Sequence, residues 1–143
     1  MQKRYVFHRI FFAALLFAPF LFSCKKSLQD TKEDIVMAAI ITGRWYVSEY
    51  TVNTTDVTSE FAGYEFQFHG NGSVDGINGS TTITGTWAGD SNNFTIISSF
   101  PGSAGHPLTR LNGVWKWTDS DWTYVKSYYV SGADTWYLTL RKK

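Results

Sequence analysis

The sequence predicts an all-β domain, a small antiparallel up-and-down β-barrel of about eight strands with a short N-terminal helix. Three observations predict it. From Ile40 onward apolar residues recur with period two rather than with a helical period. Turn chemistry interrupts them every eight to twelve residues. The connections read as successive hairpins without a long crossover, which favours a meander over a Greek-key sandwich.

The chain has 143 residues, 17% aromatics, one Cys, three Pro and a formal charge of +1. That length suits one domain. The near-neutral charge, with no Lys/Arg stripe, gives no footprint for nucleic acid. A single Cys excludes an internal disulfide framework and a multi-Cys metal site.

The N-terminus belongs to a different regime. Lys3, Arg4 and Arg9 precede thirteen mostly apolar residues, Ile10 to Phe22, and then Ser23 and Cys24. A basic start, an apolar run and a small residue at the cut point describe a secretory signal peptide over residues 1–23. As a helix the run would reach only about 20 Å, short of the ~30 Å bilayer core, and Pro19 interrupts it. Loss of residues 1–23 takes three basic residues and no acid, so the charge moves from +1 to −2. Residues 24–32 are polar and read as a tether. The domain itself is expected over residues 33–143.

Thr31 with Asp34 forms a capping-box-like start, and Ile35, Val36, Ala39 and Ile40 give an apolar face. A short helix over about Lys32 to Ala39 follows; it is too short to stand without docking on something. The eight strands are expected at Gly43–Val52, Tyr64–His69, Ser73–Ile77, Thr81–Ala88, Phe94–Ser99, Gly113–Thr118, Trp122–Val130 and Thr135–Arg141. Between them lie Gly70-Asn71-Gly72, Asn78-Gly79, Gly89 to Asn93, Asp119 to Asp121 and Ser131 to Ala133. These residues supply positive φ and local side-chain hydrogen bonds, as hairpin turns require. In a meander the connections alternate between two ends. The two longest, Asn53–Gly63 and Phe100–Asn112, fall at the same end and would form an elaborated mouth. An eight-stranded barrel has an interior that either fills with side chains or holds one small ligand.

Two resemblances rest on these residues. Leu21-Phe22-Ser23-Cys24 resembles the lipobox of bacterial lipoproteins, in which the Cys is lipidated and becomes the first mature residue. By that resemblance Cys24 carries the lipid, and the chain sits in the cell envelope, at the outer membrane and facing the periplasm. The alternative is an ordinary secreted protein with a free thiol, a liability in an oxidising compartment. Gly43-Arg44-Trp45 resembles the Gly-x-Trp signature of lipocalins, in which the Trp packs across the closed base and an Arg from the end of the barrel covers it. Gly43, Trp45 and Arg141 would then form the base, because strand parity brings the first and last strands together there. The order of signal, Cys, tether, Gly-Arg-Trp strand and late Leu-Asn-Gly-Val-Trp-Lys-Trp strand is similar to that of short lipocalin-like lipoproteins of Bacteroidetes.

Chemistry offers few candidates. His69 and His106 have no His, Cys or carboxylate at ligand spacing, so no metal is expected. Asp119 and Asp121 read as turn formers rather than an acid–base pair. Asp75 and Asn78 are too few for calcium. No Gly-x-Ser-x-Gly motif or oriented Ser–His pair occurs, so neither an enzyme nor a cofactor is expected. The alternating aromatics Tyr64, Phe66, Phe68, Trp87 and Phe94, with Trp115, Trp117, Tyr124 and Trp136, are either a filled core or the walls of an apolar pocket. Glu49 shares the face of Trp45 and Val47 unless a bulge intervenes, and would then be a polar handle for a ligand. Two functions follow from these readings: a non-enzymatic binder of a small apolar ligand at the mouth, or a protein-binding envelope lipoprotein with a filled core that uses Ser99 to Leu108. A structural envelope protein without a ligand is a third.

Overall fold

The computed structural model describes residues 37–143. The signal segment, Cys24, the tether and the Thr31 cap lie outside the described residues. Residues 37–40 are helical, the end of the expected helix, and nine strands follow. They are β1 (Trp45–Val52), β2 (Thr55–Asp56), β3 (Tyr64–Phe68), β4 (Ser73–Asn78), β5 (Thr81–Asp90), β6 (Thr95–Ser99), β7 (Gly113–Ser120), β8 (Tyr124–Ser131) and β9 (Asp134–Lys142). Eight of them match the expected strands within about two residues. β2 is the addition: it folds back on the end of β1 through Thr51 opposite Asp56, with Asn53 at φ 57° in the turn.

All pairings are antiparallel and follow chain order from β3 to β9, and β1 closes the barrel against β9. That closing seam is long, from Trp45 opposite Lys142 to Val52 opposite Trp136. The β1–β3 seam is one pair, Trp45 opposite Phe66. Chain direction therefore sets the two ends. The base holds residues 37–44 and the turns after β3, β5 and β7. The mouth holds the connections after β1, β4, β6 and β8.

The strand pattern is written in burial. In β1, Trp45, Val47 and Tyr50 are buried while Tyr46 and Glu49 are exposed. The spacing from Val47 to Tyr50 is odd because a bulge lies between Val47 and Glu49. One extra residue turns every later side chain of the strand to the opposite face. Glu49 therefore points out, the outcome the sequence left open pending a bulge, and Tyr50 takes the interior position. A second bulge lies between Trp117 and Asp119 in β7.

Candidate functional site

The barrel base is built around Trp45. Trp45 is fully buried, and its indole Nε1 donates to the Ile40 carbonyl at 2.8 Å. The end of the helix is thus tied to the first strand and caps the base with Ala39 and Ile40, both buried. Gly43 takes φ 79°, a left-handed turn into the strand that a side chain would strain. Arg141 does not cover the Trp. It pairs across β8 with Tyr124 and lies 5.7 Å from that ring on the outer wall. Lys142 is the residue opposite Trp45, and its Nζ lies 5.1 Å from the indole. The residue of the last strand beside the indole is thus Lys142 and not Arg141.

The interior is a packed aromatic core. Phe66, Phe68, Trp87 and Trp115 are buried in it, as alternation implies. Phe68 meets Trp87 edge-on at 5.3 Å, and Phe66 meets Phe100 edge-on at 6.3 Å. Tyr64, Trp117 and Trp136 are half-buried at its margins, with Trp136 tilted against Tyr129 at 5.2 Å. Two expected wall residues stand elsewhere. Phe94 precedes its strand in a turn at φ 52° and is 43% exposed. Tyr124 starts β8 on the outer face, where its hydroxyl donates to Asp119 at 2.8 Å. Val125 and Ser127 take the inward positions of that strand.

The mouth departs most from expectation. Both long connections fold into the barrel. In the first, a 3-10 turn at Thr58–Phe61 buries Phe61 against Tyr50, with centroids 5.0 Å apart. In the second, Phe100, Leu108 and Leu111 are all buried. They plug the opening. Leu108 and Leu111 hang from a 3-10 turn at Leu108–Leu111. The neck of this loop is held by polar contacts. Phe100 N–H donates to Asn112 Oδ1 at 2.6 Å, and Asn112 Nδ2 donates to the Phe100 carbonyl at 3.0 Å. Trp115 Nε1 donates to the Leu111 carbonyl at 2.8 Å, and the Ser98 hydroxyl donates to the same carbonyl.

The two loops are also fastened to each other. Arg110 makes a bidentate pair with Glu60, at 2.7 and 3.1 Å. The Tyr50 hydroxyl donates to the Arg110 carbonyl at 2.7 Å, and burial pushes that phenol well above its ordinary pKa. Space for the plug is made on the opposite wall. A Cβ on Gly76 would lie 2.8 Å from Leu108 Cδ2, and one on Gly85 would lie 2.9 Å from Phe100 Cδ1. These two glycines are interior residues of β4 and β5, and the plug occupies the volume their side chains would fill. They are the signal that reading the loop alone misses.

What remains inside is a cavity of about 30 Å³, lined by apolar groups together with Ser98 and Ser127. Clefts that hold small-molecule ligands run about 300–1,000 Å³. The polar candidates are occupied by local structure. Asp121 Oδ1 accepts from Thr123 and Tyr124 in the β7–β8 turn, and those bonds hold its carboxyl below the usual range. His69 Nε2 lies 2.9 Å from Asp75 Oδ2, while Thr84 donates to the other oxygen of that carboxylate at 2.6 Å. The carboxylate, not the imidazole, is the middle member of this row. His106 is exposed in the plug loop. Among the described residues no three His, Cys, Asp or Glu cluster as metal ligands would.

No protein-family model and no curated protein matches this sequence. Among solved structures, the chain is similar to a DUF4847 family protein from Bacteroides vulgatus. The TM-score is 0.52 at 15% identity, covering 76% of this chain and 97% of the other. What they share is the barrel fold. At that identity the likeness speaks for architecture alone.

Proposed function

We propose that the protein is a lipid-anchored, lipocalin-like envelope lipoprotein that acts without catalysis by binding another protein. The anchor is Cys24 of the Leu21-Phe22-Ser23-Cys24 segment, with outer-membrane attachment facing the periplasm. The lipocalin likeness is supported by the buried Trp45 and the covering Lys142 at a closed base.

The observation that carries the choice of a protein partner is the plugged mouth. Phe61, Phe100, Leu108 and Leu111 occupy the volume a ligand would need. Apolar surface is instead displayed outside. Ile97 and Val114 are opposite each other on β6 and β7, 45% and 49% exposed. Continuing the β7–β8 register brings Val130 opposite Val114, and Tyr137 follows on β9 beside Tyr128. Val130 and Tyr137 are also exposed. Single exposed apolar residues need no explanation, but a contiguous set across four strands marks an interaction surface. Of the segment Ser99 to Leu108, Phe100, Pro107 and Leu108 are buried, while residues 101–103 and 105–106 stay exposed at the mouth.

The test is site-specific photocrosslinking in the native envelope from Val114 and Val130, with exposed Thr82 on the far wall as control. A discrete protein adduct from the first two positions and none from the control is expected. Crosslinks to none of them, or equally from all three, would refute the surface.

A second reading is favoured by the small cavity beneath the plug, where Ser98 and Ser127 offer hydroxyls among apolar groups. Here Phe100 and Leu108 would withdraw to admit a small apolar ligand. The Asn112 clamp and the Arg110–Glu60 pair oppose that movement.

A further inference from the structure

We propose that the barrel base is a membrane-apposed surface that docks on anionic phospholipid, so that the domain lies on the bilayer rather than swinging from its tether. This rests on the lipid-anchor reading of Cys24. Three independent observations lead to it.

The first is where the chain enters. Residues 37–40 run into the base, and Trp45 Nε1 binds the Ile40 carbonyl there. Cys24 precedes Met37 by thirteen residues, which span at most about 45 Å when extended. A lipid on Cys24 is thus joined to the domain through the base and not through the mouth.

The second is composition at that end. Three of the four segments that close the base each present a large apolar side chain to solvent: Ile41, Phe94 and Trp122, which are 39%, 43% and 52% exposed. Trp122 sits in the β7–β8 turn, and Lys142 Nζ lies between its ring and that of Trp45, at 5.8 and 5.1 Å. Tryptophan with lysine is the chemistry of the membrane–water interface: an amphipathic ring at headgroup depth and a cation beside it.

The third is the charge distribution. Five of the seven Lys and Arg residues of the described chain, Arg44, Lys126, Arg141, Lys142 and Lys143, lie toward the base along β8, β9 and the start of β1. The carboxylates on the same seam are Glu65, Asp119 and Asp121. Glu65 bridges Arg44 and Lys143, Asp119 accepts from Tyr124, and Asp121 is bound into its turn. Asp90 lies in the next base turn, held by Asn93. At the mouth the balance reverses, with Asp56, Glu60 and Asp134 against Arg110. The base therefore carries its cations on one side, five against three carboxylates along the β8–β9–β1 seam, while Asp75 and Asp90 on the other side bring it as a whole to balance; the mouth is net negative. An anionic surface would orient the domain base-down.

The experiment uses the mature protein, with the acyl mass on Cys24 measured first. It is reconstituted in phosphatidylethanolamine vesicles with or without phosphatidylglycerol, the lipids brominated near the headgroup. Tryptophan quenching should be strong with phosphatidylglycerol and at least twofold weaker without it. It should fall at least twofold in Trp122→Tyr and in Lys142→Gln/Lys143→Gln, with unchanged thermal unfolding confirming the fold. Quenching that is absent, or equal in wild type and Trp122→Tyr, from a protein acylated on Cys24 overturns the docking and leaves the anchor intact. If Cys24 carries no acyl mass, the anchor reading fails by itself. Cosedimentation of that unacylated chain with anionic but not with zwitterionic vesicles would then support the base surface, and no cosedimentation would overturn it.

Discussion

Leu108 and Gly76 form a lock whose two halves can be weighed against each other. Leu108 is fully buried at the mouth, and Gly76 lies opposite it on β4. Leu108→Ala removes three carbon groups, about 2.4 kcal/mol of transfer free energy at about 0.8 per group. The cavity left behind raises the total to about 3–5 kcal/mol. Gly76→Ala places a methyl 2.8 and 3.2 Å from the two Leu108 methyls and 3.3 Å from Phe100 Cε1. Overpacking of that kind costs about 1–3 kcal/mol, and the reduced freedom of the unfolded chain returns about 0.4–1. In the double variant the new methyl enters the space Leu108 has vacated. The pair should therefore be less destabilised than the sum of its singles by about 1–2 kcal/mol. Gly85→Ala is the contrast. Its methyl would lie 2.5 Å from the Ser99 carbonyl oxygen, a backbone atom that Leu108→Ala does not move. Urea unfolding of the four proteins of the cycle, and of the Gly85 counterpart, supplies the numbers. Additivity within about 0.5 kcal/mol for Gly76 and Leu108 would refute the plug, since independent sites add.

Other consequences are simpler. Trp45→Ala should cost about 3–5 kcal/mol in the same assay, because it empties the base and orphans the Ile40 carbonyl. Glu49→Gln should change stability by less than about 0.5 kcal/mol and leave any binding intact, because the β1 bulge turns Glu49 outward. Stability should fall as pH drops through about 4. Thr84 and then His69 hold the Asp75 carboxyl below its usual range, and Lys143 and then Arg44 do the same for Glu65. The folded state then binds fewer protons than the unfolded one, so their contribution is complete above the unfolded pKa and is lost below it. Urea midpoints at pH 7 and pH 3 measure this, and Asp75→Asn should narrow the difference. Stability should also fall above about pH 10, where unfolding frees the buried Tyr50 phenol to ionise, and Tyr50→Phe should flatten that limb.

Strand positions were legible because turn residues and period-two alternation reinforce one another. Tyr64, Phe66 and Phe68 against Glu65, Gln67 and His69 set the face of β3 before any contact is known. Parity within a strand is legible only while the strand is regular. The bulge after Val47 inverted Glu49 and Tyr50, and no local residue announces it; the long pairing of β1 with β9 imposes it. Arg141 was misplaced for another reason: the resemblance indicates a strand end and not a register, and the register sets Lys142 opposite Trp45. Tyr124 went astray as to face. The late start of β8, two residues after Trp122, leaves its alternation unchanged; the aromatic at Tyr124 drew the inward face to the even positions, whereas Val125 and Ser127 point in. The plug was hidden for a different reason. Loops usually run over the surface, and Phe100, Leu108 and Leu111 have no period to reveal that they turn inward. Their counterparts, the inward-facing Gly76 and Gly85, look like turn or strand-weakening residues until the loop is placed above them.

The most direct test of a barrel filled by its own loops is native mass spectrometry of the protein purified from its native source. The plug predicts a mass explained by polypeptide and the lipid proposed for Cys24, with any further mass belonging to an associated protein. A small apolar molecule that stays with the barrel in gentle conditions, and leaves when it unfolds, would contradict it.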